Sequence, residues 1–139
     1  ITHISGDLHK SVWQRFEAGD QKIVQGLDMI RDAGLLMANG MKTESKVDVI
    51  DAMKLNSAGV DILGIELHEP FRDELDNLSQ QNKVSAWKAM GAGGGGVVGL
   101  IVSSPQYTND VIEQLKQKGW TNIPWKIDFD GVVRQETNL

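Results

Sequence analysis

Between Lys88 and Val102 the chain reads KAMGAGGGGVVGLIV, and no other stretch narrows its fold as much. Residues 91–96 hold five glycines and one alanine, and an apolar run follows at once. Glycine lacks a Cβ, so it enters positive φ freely and lets another group come close to the main chain. A run of such residues can turn successive amides toward one anion and form a nest for phosphate oxygens. Two plainer readings compete with that one. A flexible linker carries serine and polar neighbours, whereas apolar segments stand close on both sides here. A hairpin turn needs only about two to five loop residues and one or two glycines, fewer than this loop contains.

The surrounding pattern supplies the context. Residues 1–4 read as the end of a strand, and Ser5 to Asp7 as a helix start, where short polar side chains accept from orphan amides. The first helix runs to about Ala18, with Leu8, Val12 and Phe16 at steps of four. The second presents Ile23, Leu27, Ile30, Gly34, Met37 and Met41, three or four apart, as its core face. Gly34 on that stripe is expected to admit a close neighbour. A third helix is expected from residue 43 to about 57, with Val47, Ile50 and Met53 inward and Ser45-x-x-Asp48 as a loose capping box. ILGIELHEP reads as a connector, and Pro70 suits the first turn of a fourth helix whose apolar side is Phe71, Leu75 and Leu78.

After residue 80 the pattern changes to strands. Residues 84–89 read as one strand, and residues 97–102, apolar on both faces, as a buried central strand. A helix over 107–118 follows, with Val111 and Leu115 inward and Gly119 as its stop. Asp130-Gly131 predicts a closing hairpin in WKIDFDGVVRQE. Helices grouped with an antiparallel sheet define a single α+β domain over residues 1–139.

Charge and composition remove several functions. A net charge of −5 argues against a nucleic-acid partner, and GVVGLIV offers no aromatic on which a base would stack. No apolar run approaches the ~20 residues needed to span a bilayer, so no membrane partner is expected. The absence of cysteine excludes disulfide and thiolate chemistry and fits a cytoplasmic location. His3, His9 and His68 lack ligand spacing, so no metal site is expected. Asp128 and Asp130 read as a solvent-facing edge beside the Asp-Gly turn rather than an acid/base pair. Asp73, Glu74 and Asp76 suit the first turn of the fourth helix. Trp13, Trp87, Trp120 and Trp125 read as core or interface residues rather than a sugar-stacking platform.

Two phosphate motifs fail on context. No Lys-Ser or Lys-Thr follows the glycines, so G-x-x-x-x-G-K-[ST] is absent. G-x-G-x-x-G is matched formally at Gly91, Gly93 and Gly96, but a strand follows, and no helix N-terminus receives a pyrophosphate.

K-A-M-G-A-G-G-G-G-V instead resembles the third conserved motif of the GHMP kinases, the family of galactokinase, homoserine kinase, mevalonate kinase and phosphomevalonate kinase. That motif runs K-x-[ST]-G-A-G-G-G-G-C. Lys88, Gly91, Ala92, Gly93, Gly94, Gly95 and Gly96 match it, Met90 replaces the hydroxyl residue, and Val97 replaces the cysteine or small residue. Asn56 with Leu63-Gly64-Ile65 resembles a second family segment, and the closing GWTNIPWKIDFDGVVRQE resembles the sugar-kinase branch. The resemblance implies a ferredoxin-like antiparallel sheet with several packed helices. It also implies the C-terminal domain of a kinase that uses ATP and Mg²⁺ to transfer a γ-phosphoryl group to a sugar or sugar-phosphate hydroxyl. The family's main ATP loop, P-x-x-x-G-L-G-S-S-A, and its catalytic aspartate have no counterpart in this chain. By resemblance they belong to an N-terminal domain of the same polypeptide, which agrees with a start at Ile1. The isolated chain is then expected to be inactive and to hold no catalytic residue of its own. Carried over, Gly91 to Gly96 line the cleft that holds the transferred phosphate and the small-molecule substrate. Lys88 lends charge near the phosphates, or is simply a solvated strand lysine. Ser5 and Gly6 face the acceptor, or form an ordinary helix cap. Two alternatives stand beside this reading: a mevalonate-type kinase C-terminal domain, and a non-catalytic α+β module that binds a regulatory metabolite.

Overall fold

The computed structural model describes residues 5–64, 68–91 and 95–126, with the backbone alone at residues 5–8 and 70. In chain order they form α1 (Ser5–Glu17), α2 (Gln21–Lys42), α3 (Lys46–Leu63), α4 (Glu69–Gln80), β1 (Val84–Ala89) and β2 (Val98–Val102). A 3₁₀ turn at Pro105–Tyr107 then leads into α5 (Thr108–Gln117). Helices with a two-stranded antiparallel sheet make the domain α+β, as read from the sequence. The expected strand at residues 1–4 and the hairpin at Asp130-Gly131 lie outside the described residues, as do Asp128 and His3.

Polar side chains set the helix boundaries. Asp20 caps α2, accepting the Lys22 amide at 2.9 Å, and also receives Arg15 Nε at 2.9 Å. The Arg15 guanidinium reaches on to the Leu63 carbonyl at 3.1 Å, placing a cation at the C-terminal end of α3, where the helix dipole is negative. Ser45 caps α3 by accepting the Asp48 amide at 3.2 Å. Because Ser45 is the cap, α3 starts at Lys46 rather than at residue 43, and it continues to Leu63 instead of stopping near 57. Ile62 and Leu63, read as connector, thus belong to the helix, and Gly64 ends it.

The α2–α3 hairpin is packed on small residues. The buried positions of α2 are Ile23, Gly26, Ala33 and Gly40. A β-carbon on Gly26 would lie 2.9 Å from the Gly59 carbonyl oxygen, and one on Gly59 would lie 2.8 Å from that of Gly26. Gly40 is as close to α3, with Asp48 Cβ at 2.9 Å and the Val49 amide at 3.0 Å. Gly34 is corrected by this arrangement: it is exposed, and nothing would meet a β-carbon there within 4 Å. Ile23 is buried as expected and Ile30 packs beside it, but the seam passes one residue away from Leu27, Gly34 and Met41, about 100° around the helix. Leu27 and Met41 therefore face solvent.

The second half forms its own core. α4 carries Pro70 in its first turn and buries Phe71, Leu75 and Leu78, as expected. Its first-turn acid is Glu69; Asp73, Glu74 and Asp76 fall later. β1 pairs with β2 antiparallel, with Trp87 opposite Leu100, Lys88 opposite Gly99 and Ala89 opposite Val98. A register shift between Val84 and Ala86 breaks the alternation, which accounts for the consecutive buried residues Ala86 and Trp87. Phe71, Leu75, Leu78, Val84, Trp87, Ala89 and Val111 make one core, bringing α4 and α5 onto a single face of the hairpin. β2 departs from expectation: all five of its residues are half-buried, and among the described residues β1 is its one partner. Ile23 and Leu63, with Val12, Ile30 and Val60 around them, form a smaller core where α1, α2 and α3 meet. No helix among the described residues is long and apolar enough to cross a membrane.

Candidate functional site

The glycine loop joins β1 to β2, the strand–loop–strand setting read from the sequence. The Met90 amide donates to the Val97 carbonyl at 2.9 Å, one rung beyond the strands, so residues 91–96 form the loop proper. Its described glycines all need the freedom that glycine has: φ is +74° at Gly91, +153° at Gly95 and +88° at Gly96. A β-carbon on Gly91 or Gly96 would meet nothing within 4 Å, so backbone conformation, not crowding, demands glycine at these two positions. Both are exposed, leaving the main chain open to a solute. Ala92, Gly93 and Gly94 lie outside the described residues.

Lys88 stands two residues before that rung, half-buried, with Nζ donating to the Ala89 carbonyl at 3.0 Å. Alternation along the ladder turns the Ala89 carbonyl away from β2, so Lys88 covers a polar group on the edge of β1 that faces away from β2. Ser5 and Gly6 open α1 as its first two residues, and the Ser5 side chain lies outside the described set. Asn56 sits half-buried on α3, while Leu63 and Gly64 end that helix. Trp87 and Trp120 belong to the larger core. Trp13 and Trp125 are 62% and 80% exposed. No group of three or more metal-binding side chains occurs among the described residues.

A second constellation was not singled out from the sequence. Between α3, α4 and β1 lies a groove of about 640 Å³, lined by Lys54, Ser57, Asp61, Arg72 and Asp76 among others. Asp61 Oδ1 accepts from His68 Nδ1 at 2.9 Å and from the Arg72 guanidinium. That hydrogen bond, outweighing partial burial, pushes the Arg72 pKa up. Arg72 also approaches Asp76 at 3.7 Å. Behind them His68 is 1% exposed, with its ring edge-on to Trp87 at 4.8 Å. Ser57 Oγ donates to the Trp87 carbonyl at 2.8 Å. An imidazole so enclosed touches no solute, so the cluster acts as a clamp that fastens α3 to α4 and seats Trp87. The available sequence signal was the spacing of His68, Arg72 and Asp76, four apart on one helix face.

Comparison with protein-family models, with curated proteins and with solved structures found no match to this chain.

Proposed function

We propose that the chain is the C-terminal domain of a GHMP-type small-molecule kinase, of the sugar or sugar-phosphate branch, built on a ferredoxin-like sheet. The observation that carries this reading is the loop: K-A-M-G-A-G-G-G-G sits on a hairpin with Gly91, Gly95 and Gly96 at positive φ and with Gly91 and Gly96 exposed. Amides in such a loop can converge on phosphate oxygens, and phosphoryl transfer depends chiefly on positioning and charge neutralisation.

In this reading the chain supplies one wall of the cleft. Its loop orients the transferred phosphate, Lys88 adds positive charge beside it, and Ser5 and Gly6 face the acceptor. The loop's main-chain donors suit the phosphates of ATP, whereas Mg²⁺, as the resemblance implies, is held mainly by the other domain. ATP supplies the phosphoryl group.

The test is an ADP-release assay with ATP, Mg²⁺ and a panel of sugars, sugar phosphates and mevalonate. It is run on the 139-residue chain and on the complete encoded polypeptide. The expected result is turnover by the complete polypeptide alone. Robust phosphorylation by the 139 residues overturns the two-domain reading. Inactivity of the complete polypeptide toward every acceptor overturns the kinase reading.

A further inference from the structure

With five methionines and no cysteine, the chain keeps all its oxidisable sulfur in thioethers. Their settings differ. Met53 is buried at 8% exposure, while Met41 and Met90 are open at 63% and 47%. Met41 lies at the end of α2, where its side chain faces solvent. Met90 lies in the stem of the glycine loop, and two contacts tie that stem to it.

Its amide makes the last rung, to the Val97 carbonyl at 2.9 Å. Its side chain folds back across the hairpin onto Gly99, where a β-carbon would collide with Met90 Cε and lie 3.9 Å from Sδ. Gly99 is thus an empty seat that the thioether fills, on the sheet face opposite Trp87 and Ala89. The next residue, Gly91, turns off at φ +74° into the loop. An exposed thioether side chain therefore holds the point where the loop leaves the sheet.

We propose that Met90 is an oxidation site through which a hydroperoxide loosens the stem of the hairpin, at the rung it forms with Val97. A sulfur lone pair attacks the terminal peroxide oxygen, and the S–O bond forms as the O–O bond breaks. Sulfur loses two electrons and the peroxide gains them. The proton on the transferred oxygen passes to the displaced one, which leaves as water or an alcohol. The sulfoxide is polar and bulkier than the thioether. Pressed onto the bare Cα of Gly99 it would lose water without gaining a hydrogen-bond donor, which is unfavourable. The side chain leaves its seat, and the stem loses the contact with Gly99 that held it beside the Met90–Val97 rung.

The proposal does not rest on the kinase reading, because it is read in the stem itself. The protein is treated with hydrogen peroxide, sulfoxides are located by peptide mass mapping, and amide hydrogen exchange is then measured. Met90 and Met41 should oxidise well before Met53. Exchange at Met90 and Gly99 should then rise about tenfold, as expected for a locally opened segment. Met41→Leu should keep this response and Met90→Leu should abolish it. Gly99→Ala, which fills the seat, should give the fast exchange without peroxide. Quantitative sulfoxide at Met90 with unchanged exchange in the stem overturns the proposal. So does acceleration that persists in Met90→Leu, or oxidation of Met90 no faster than that of Met53.

Discussion

His68 joins the two helices that flank the groove through a single imidazole, buried against Trp87 and hydrogen-bonded to Asp61. His68→Ala removes that bond and leaves a void beside an aromatic ring. We expect it to cost roughly 2–4 kcal/mol in urea denaturation. Asp61→Asn should cost less, since its amide oxygen still accepts. At Gly96 the constraint is torsional, with φ at +88° and open space around it. Gly96→Val should lower stability by only about 1–2 kcal/mol, and in the complete polypeptide turnover should fall further than that loss explains. The demand for glycine at Gly91, Gly95 and Gly96 was legible, because five glycines exceed what a turn requires. The role of His68 was not, because its partner stands on a different helix, seven residues away across a connector.

Among the elements, the α2–α3 hairpin gives the sharpest contrast between expectation and packing. Both strands of the hairpin sheet, the Ser45 cap, the Pro70 start and the Gly119 stop follow from local residue chemistry, and the structure has all of them. Beyond Ile23, the buried face of α2 does not follow from its large apolar residues, because the helices approach on Gly26, Gly40 and Gly59. Periodicity counts hydrophobic side chains and is blind to a seam made by their absence. A pair of substitutions separates the two faces. Gly34→Ala, on the exposed side, should raise stability by about 0.5–1 kcal/mol through helix propensity. Gly59→Ala, meeting the Gly26 carbonyl, should lower it by roughly 1–3 kcal/mol despite the same gain. Thermal melts of the two variants should therefore shift in opposite directions.

For the whole molecule, two cores are linked through α3, which packs on α2 by its glycine seam and reaches β1 through Ser57. Ion pairs add ties between elements: Lys83 to Asp110 at 2.6 Å and Arg15 to Asp20 at 2.9 Å. Lys83 holds the Asp110 carboxyl below its ordinary 3.8, and Arg15, followed by the Lys22 amide, does the same for Asp20. A depressed folded pKa adds stability that is complete above the unfolded value and is lost as pH falls through the folded one. The urea midpoint should thus hold above the ordinary value of 3.8 and decline below it, with a shallower decline in Asp110→Asn. The α+β class was legible at this scale because helix-period and strand-period segments separate cleanly near residue 80. The burial of β2 was not. Its residues are apolar on both faces, but only one face meets α4 and α5, and alternation cannot say which neighbours a strand acquires.

The close approach of Gly26 and Gly59 also limits how this protein can change its sequence. Each residue's missing side chain is the clearance for the other's carbonyl. A methyl group at either position therefore meets main chain, which no change of rotamer elsewhere can move aside. A single substitution cannot be repaired by a second one across the seam, since the partner is already the smallest residue. Along any mutational path that keeps this helical pair, both positions stay glycine, while the exposed Gly34 between them is free to vary.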